Sequence, residues 1–193
     1  SPDRQKKAFR PLKSNQIERM PDTAVRSVNN QQELLQQIDE ITRAICQIFH
    51  DVPDEYLYSA ANPDGWTVEK NMKHIASTNR LMSRWIKAPR FLLTLRGKPK
   101  TNLRIEDISA TNRPNIRDYG SYEKQGAVPV GRKAELIQEI ETSAETLKAA
   151  VRKRSEEELG KLSGLWGGMT LAIFAQFALK HGLHHASVVK ARM

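Results

Sequence analysis

The sequence predicts an all-α protein built as a four-helix bundle, with a long crossover loop between the second and third helices. Four stretches repeat apolar residues at three- and four-residue spacing, the pattern of a helix with one buried face. No stretch alternates apolar and polar residues convincingly, as a half-buried strand would. Hydrophobic residues make up 39% of the 193 residues and charged residues 27%, a balance that allows one buried core.

Residues 1–30 lack periodicity and are rich in Arg, Lys, Pro, Asn and Gln. We expect them to form a basic, loosely ordered arm that precedes a helical domain at 31–193. The first helix is expected from about Asn30 to His50 and ends before Pro53, because proline cannot continue the helical hydrogen bonds. Its apolar positions are Leu34, Leu35, Ile38, Ile41, Ile45, Ile48 and Phe49.

The second helix is expected to begin after Thr67, whose hydroxyl can cap the first amides. Pro89 marks a break or kink, and the apolar stretch at 91–93 is a candidate extension of this helix. The apolar positions of the second helix are Val68, Met72, Ile75, Met82 and Ile86.

The segment 97–131 is the longest non-periodic interior segment, and glycine and proline recur along it. Loops of this length in compact domains are often lids or pocket walls. A plain connection between two bundle helices explains the same pattern, so both interpretations stay open.

The third helix is expected from about Lys133 to Lys153, and a second helix-start pattern follows at Ser155. A glycine-rich turn at 164–168 then leads to Thr170, the expected cap of the last helix. The inward positions of the third helix are Leu136, Ile137, Ile140, Leu147 and Val151.

The formal net charge of +9 invites nucleic acid or anionic surfaces as partners. Basic residues are concentrated in the first 27 positions, however, and no nucleic-acid-binding motif accompanies them. We therefore favour a solvated surface with a basic tail over nucleic-acid binding. The basic residues of the tail are Arg4, Lys6, Lys7, Arg10, Lys13, Arg19 and Arg26.

The single cysteine, Cys46, excludes an internal disulfide and a cysteine-based zinc cluster. We expect it to be buried on the first helix rather than reactive. No run of 18 apolar residues is present, so we expect no spanning segment and no membrane partner. The expected location is the cytoplasm.

The last helix carries two histidines at metal-ligand spacing. At about 100° per residue, His181 and His185 lie near the middle of an apolar face that also carries Phe174, Phe177, Ala178 and Val188. The opposite face carries Gln176, Lys180, Ser187 and Lys190. Imidazoles at positions i and i+4 can direct nitrogens at one point, as zinc requires. Gly182 stands where metalloproteases have a glutamate base, which excludes that arrangement, and its helix-weakening effect suggests a close neighbour or a ligand.

His74 on the second helix is the best-placed third ligand, in line with Asn71 and Thr78. Those two are either groups that support the ligands or ordinary bundle packing. His184 lies at the flank of the histidine face and is a weaker candidate, either a general base or a surface residue. His50 at the end of the first helix is explained by the helix dipole. Three ligands leave one coordination position open, as in catalytic zinc sites.

Two segments resemble a known family. The segment 65–75 (GWTVEKNMKHI) is similar to the second-helix signature of the DinB-like superfamily, and the stretch from Thr170 through His181 and His185 to Val189 is similar to its last helix. The resemblance covers about residues 31–193. It implies a four-helix bundle, often dimeric, that holds a divalent ion, commonly zinc or nickel, on His74, His181 and His185.

The resemblance also implies a class of reaction, because several relatives are thiol-dependent transferases or isomerases. We expect a metal-dependent enzyme of the thiol-transferase or hydrolase type that acts on a small molecule, with a low-molecular-weight thiol as a possible co-substrate. The loop at 97–131 and Trp166 are candidate covers of the site. The alternatives are a metal or small-ligand binding protein without chemistry, and a partner- or nucleic-acid-binding module acting through the basic arm.

Overall fold

The computed structural model describes residues 24–60, 65–100, 102–111, 120–166 and 168–193. The helices in chain order are α1 (Gln31–Asp51), α2 (Val68–Ile86), α3 (Arg90–Thr94), α4 (Arg132–Arg152), α5 (Glu156–Lys161) and α6 (Leu171–Lys190). Single 3₁₀ turns lie at Asp54–Tyr56 and Ile105–Asp107. The described residues contain no strand, and none of their helices combines the length and apolar character needed to cross a membrane.

The four long helices form the bundle. Both α1 and α2 pack against α4 and α6, so α1 and α2 occupy opposite corners. Their apolar faces meet in one continuous core, which excludes water from the bundle interior. The largest side chains that are almost completely buried there include Leu34, Ile38, Phe49, Met72, Ile75, Met82, Leu136 and Phe174. The predicted all-α bundle is confirmed for the described part of the chain, whereas part of the crossover loop, 112–119, lies outside it.

The helix starts follow from capping residues that the sequence displays. The side chains of Asn30, Thr67 and Thr170 each accept a hydrogen bond from a backbone N–H in the first turn of α1, α2 and α6. Ser155 and Glu158 form a reciprocal capping box at the start of α5. The predicted boundaries of the first and third helices, α1 and α4, are confirmed to within one residue.

The stretch at 91–93 does not extend the second helix. The helix α2 ends at Ile86, and Pro89 is the N-cap of the separate short helix α3. The guanidinium of Arg154 donates to the backbone carbonyls of Ile86 and Ala88, which satisfies acceptors at the end of α2. Leu93 anchors α3 in the core.

Residues 24–30, part of the predicted loose arm, pack against the bundle, whereas residues 1–23 lie outside the described residues. Val25 is buried in the core. The carbonyl of Arg26 accepts hydrogen bonds from the side-chain amides of Gln37, at 2.8 Å, and Gln176, at 2.6 Å. The expectation that Gln176 lies opposite the packed face of α6 was wrong, because the residue is buried and these hydrogen bonds satisfy its amide.

Candidate metal centre

The site lies between α2 and α6, whose starts are held in the same way. Thr67 pairs with Ala60 in an isolated bridge before α2, and Thr170 pairs with Ser163 before α6. Each threonine also caps its helix. These contacts fix where α2 and α6 begin. They therefore also fix the position of each side chain along the axes of the two helices.

The structure brings His74, His181 and His185 together. The Nε2 atom of His181 lies 2.8 Å from Nε2 of His74 and 3.2 Å from Nε2 of His185. One ligand atom from each residue can be chosen so that all three lie within 4.8 Å of one another. All three side chains are partly exposed, so the cluster is not sealed from solvent.

In two of these histidines the other ring nitrogen, Nδ1, makes a hydrogen bond to an oxygen atom. Nδ1 of His181 lies 2.7 Å from the backbone carbonyl oxygen of Ala110, and Nδ1 of His185 lies 2.8 Å from Oδ1 of Asn71. The amide nitrogen of Asn71 donates to the carbonyl of Thr67 at 2.8 Å, which turns its oxygen towards His185. Because both acceptors are oxygens without a proton, each Nδ1 donates. In the neutral rings, Nε2 of His181 and of His185 then carries a lone pair.

This donor set fits a divalent metal ion. Two lone pairs face each other across 3.2 Å, an unfavourable arrangement unless a proton or a cation lies between them. Two nitrogens of a tetrahedral zinc site, with Zn–N distances of roughly 2.0–2.1 Å, lie about 3.3 Å apart. The 3.2 Å between His181 and His185 is close to this value, whereas the 2.8 Å between His74 and His181 is shorter. Hydrogen bonds from the outer nitrogen to carbonyl or amide oxygens are typical of metal-binding histidines. No cysteine or carboxylate joins the three histidines among the residues that the structure describes.

Aromatic rings border the cluster. Trp66 stacks on His185, with ring centroids 5.3 Å apart, and contacts His74 edge-on at 4.7 Å. Phe177 stacks on His181 at 5.7 Å. The backbone carbonyl of Trp66 accepts a weak hydrogen bond from Tyr122 at 3.4 Å, and burial raises the pKa of that phenol. The histidines therefore have apolar neighbours on two sides, which limits the movement of their rings.

Comparison with known proteins assigns the chain to a family. The sequence profile of the DinB superfamily matches residues 37–189. The chain belongs to the DinB superfamily. No curated protein and no solved structure matches the chain significantly. The family match includes α2 and α4 completely, most of α1 and α6, and all three clustered histidines, as the resemblance in the second and last helices predicted.

In this DinB-superfamily chain the histidines lie at the edge of the buried face of α6. The expectation that they occupy the middle of an apolar face was wrong. The buried stripe runs instead through Ala175, Ala178, Leu179, Gly182, Ala186 and Val189. A Cβ atom on Gly182 would lie 3.1 Å from Ile45 Cδ1 and 3.3 Å from Ile75 Cγ2, so a close neighbour explains this glycine. Small residues mark the place where α6 approaches α1 and α2.

The other sequence candidates take different positions. Thr78 is buried, but no hydrogen bond joins it to the clustered histidines among the described residues. The ring of His184 lies 5.7 Å from that of His185, and its Nε2 is buried without a hydrogen-bond partner in the described structure. Burial, followed by the electrostatic influence of the neighbouring His181, lowers the pKa of His184. His50 is exposed at the end of α1.

Sequence reasoning did not identify Trp66 as a wall of the site, or Ala110 as a hydrogen-bond partner. Trp66 stood in the family-like segment, which was the available signal. Ala110 contributes a backbone carbonyl, which every residue type possesses. It belongs to the segment 97–131 and therefore brings that loop to the site. Trp166, the other candidate cover, contacts Phe177 at 5.3 Å and is thus one ring away from His181.

A cavity of about 240 Å³ lies elsewhere, lined by residues 27–31, by α5 and by the first turns of α6. None of the three clustered histidines lines it. One of its polar lining residues, Gln176, is already hydrogen-bonded to Arg26 and Gln37. The chemistry of the histidine cluster therefore does not depend on this cavity.

Proposed function

We propose that the chain is a divalent-metal-binding protein that acts as a metal-dependent enzyme on a small molecule, of the thiol-transferase or hydrolase type. The observation that carries the proposal is the convergence of the Nε2 atoms of His74, His181 and His185 while two of the rings donate outward through Nδ1. Zinc or nickel suits this all-imidazole donor set. The family match supports the same assignment.

The roles of the chain's own residues follow from the geometry. The three histidines would hold the ion, and the carbonyl of Ala110 together with Asn71 would keep two of them in the ligating tautomer. Trp66 and Phe177 would exclude water from two sides of the site. A bound divalent ion with three protein ligands supplies a Lewis acid with an open position, which lowers the pKa of a bound water or thiol.

Further parts of the proposal rest on the family resemblance and on composition. We propose a low-molecular-weight thiol as co-substrate, a homodimer as the assembly and the cytoplasm as the location. We do not propose nucleic acid as a partner, because the sequence shows no nucleic-acid-binding motif. The candidate site among the described residues is the histidine cluster.

The first experiment measures metal content. Untagged protein is reloaded with zinc or nickel, dialysed and subjected to elemental analysis, for the wild type, His181→Ala and the control His50→Ala. We expect about one ion per chain in the wild type and in the control, and a strong loss in His181→Ala. Metal well below one ion per chain in the reloaded wild type would end the metal hypothesis.

The second experiment tests catalysis. Metal-loaded protein is assayed for conversion of a panel of electrophiles with a panel of small thiols, and without thiol for hydrolysis. Turnover that His181→Ala loses and His50→Ala keeps would support the enzyme. Stoichiometric metal without turnover across the panel would favour the alternative, a protein that binds a metal or small ligand without chemistry.

A further inference from the structure

The helix α3 and the end of α2 present apolar side chains to solvent. Phe91 is 64% exposed, Leu95 78% and Leu92 40%, although buried Leu93 anchors the same short helix. At about 100° per residue, the three exposed side chains share the face of α3 opposite Leu93. Leu81 on α2 is also 45% exposed. An exposed cluster of large apolar side chains is the usual mark of an interaction surface.

Basic residues surround this cluster. No aspartate or glutamate occurs between Glu69 and Glu106, whereas eight lysines and arginines occur from position 80 to position 104. None of the ion pairs between described residues involves Arg84, Lys87 or Lys98. Lys87 is the C-cap of α2, directly before α3, and Lys98 follows α3 closely in the chain. Exposed apolar groups and unpaired cations therefore lie side by side.

Tertiary contacts connect α3 to α2 at this point. The guanidinium of Arg96, just after α3, lies 5.0 Å from the ring centroid of Trp85 on α2. Trp85 and Leu81 are four residues apart and so share one side of α2. This contact joins the end of α2 to α3, and we define the apolar and basic side chains of this region as the α2–α3 patch: Leu81, Arg84, Trp85, Lys87, Phe91, Leu92, Leu95, Arg96 and Lys98.

We propose that the α2–α3 patch binds the surface of an anionic phospholipid bilayer. Exposed Phe and Leu side chains can enter the boundary between headgroups and acyl chains, while surrounding Lys and Arg bind the phosphates. A second copy of the chain would bring two patches of the same sign together, which is unfavourable. The phosphates of a nucleic acid would bind the lysines and arginines, but they would leave the exposed leucines without an apolar contact. The expectation of no membrane partner rested on the lack of a spanning segment, which this mode of binding does not need.

The test is co-sedimentation of the full chain with vesicles of phosphatidylcholine alone and of phosphatidylcholine mixed with phosphatidylglycerol. The variants are F91S/L95S, which removes the apolar contacts, and K87Q/K98Q, which removes two charges. The matched controls are Val130→Ser, an exposed apolar residue outside the patch, and Lys190→Gln, an exposed lysine on α6. Comparing variants within the full chain keeps the charges of the N-terminal residues constant. Circular dichroism checks that every variant is folded.

We expect the wild type and both controls to bind only the anionic vesicles, and less as salt rises. Removal of two surface lysines should weaken binding about 30-fold at low ionic strength. F91S/L95S should weaken binding to the anionic vesicles at least as much as K87Q/K98Q does. Equal binding by the wild type and both patch variants would overturn the proposal, as would equal binding to neutral and anionic vesicles. The proposal would also be overturned, in favour of nucleic acid, by two results together. These are weaker vesicle binding by K87Q/K98Q but not by F91S/L95S, and displacement of the wild type from anionic vesicles by double-stranded DNA.

Discussion

Substitution of Asn71 should weaken the proposed metal binding, although its side chain hydrogen-bonds His185 and is not itself one of the three clustered ligands. Its Oδ1 accepts a hydrogen bond from Nδ1–H of His185 at 2.8 Å, and only 3% of the residue is exposed. In Asn71→Leu this acceptor is gone. A metal-free His185 can then move its proton to Nε2 and donate to the Nε2 lone pair of His181, 3.2 Å away. That tautomer cannot bind a metal through Nε2, so binding must first reverse it.

The expected loss follows from this competition. Removing the outer hydrogen-bond partner of a metal ligand typically weakens metal binding about 10–100-fold, or roughly 1.4–2.7 kcal/mol. Asn71→Asp keeps an acceptor and should retain affinity, although it loses the donation to the Thr67 carbonyl. The assay is competition for zinc against a chromophoric chelator at one fixed pH, because protons compete with the metal for imidazole.

Asn79 provides a matched control on the same helix. It is also 3% exposed, and its side-chain amide donates to Ser143 at 3.0 Å, away from the histidines. Asn79→Leu should lower the free energy of unfolding without changing zinc affinity. The tautomer explanation would be refuted if Asn71→Leu bound zinc within about twofold of the wild type, or if Asn79→Leu lost as much affinity as Asn71→Leu.

Three further predictions concern packing, reactivity and pH. Gly182→Ala should change the free energy of unfolding by less than about 1 kcal/mol in urea titrations, because alanine favours the helix while its Cβ crowds two isoleucine side-chain ends. Gly182→Leu should lose about 1–3 kcal/mol or more, and equal stability of the two variants would contradict the packing. Burial raises the pKa of the Cys46 thiol to about 12, so a thiol reagent at pH 8 should label it only after denaturation. Rapid stoichiometric labelling of the native protein would refute this. Hydrogen bonds from Ser27 lower the pKa of Glu106 to about 2, below its usual value. The resulting stability is fully present above the unfolded pKa of about 4.3 and is lost as pH falls towards 2, so the stability difference between wild type and Glu106→Gln should shrink over that range. A difference that stays constant from pH 6 to pH 2 would contradict it.

The helices could be predicted from the sequence because their determinants are local. Capping residues such as Thr67 and Thr170, and apolar residues at helical spacing, act within one or two turns. The break at Pro89 was also visible, but the sequence did not show whether a helix resumes beyond it. Leu93 decides that outcome by entering a core built mostly from distant segments.

The candidate site could be predicted only in part. The i, i+4 spacing of His181 and His185 identified that pair, whereas the position of His74 depended on the family resemblance. The face of α6 that is buried could not be read correctly. Alanine and glycine contribute little to a hydrophobic pattern, yet they lie at the closest helix contacts. Because Phe177 is large and apolar, the prediction placed the buried face on the side of the helix that carries Phe177 and the histidines.

Close packing of α6 and the geometry of the histidine cluster are two aspects of one contact. Gly182 faces Ile75, and the residues that precede them in the chain, His181 and His74, approach within 2.8 Å between their Nε2 atoms. A larger residue at position 182 would push α6 away from α2 and separate these two nitrogens. Because the histidines lie at the edge of the buried stripe, they remain partly exposed while the core beside them holds the two helices in place. Although Gly182 weakens the helix, it allows α6 to lie close enough to α2 for His74 and His181 to meet.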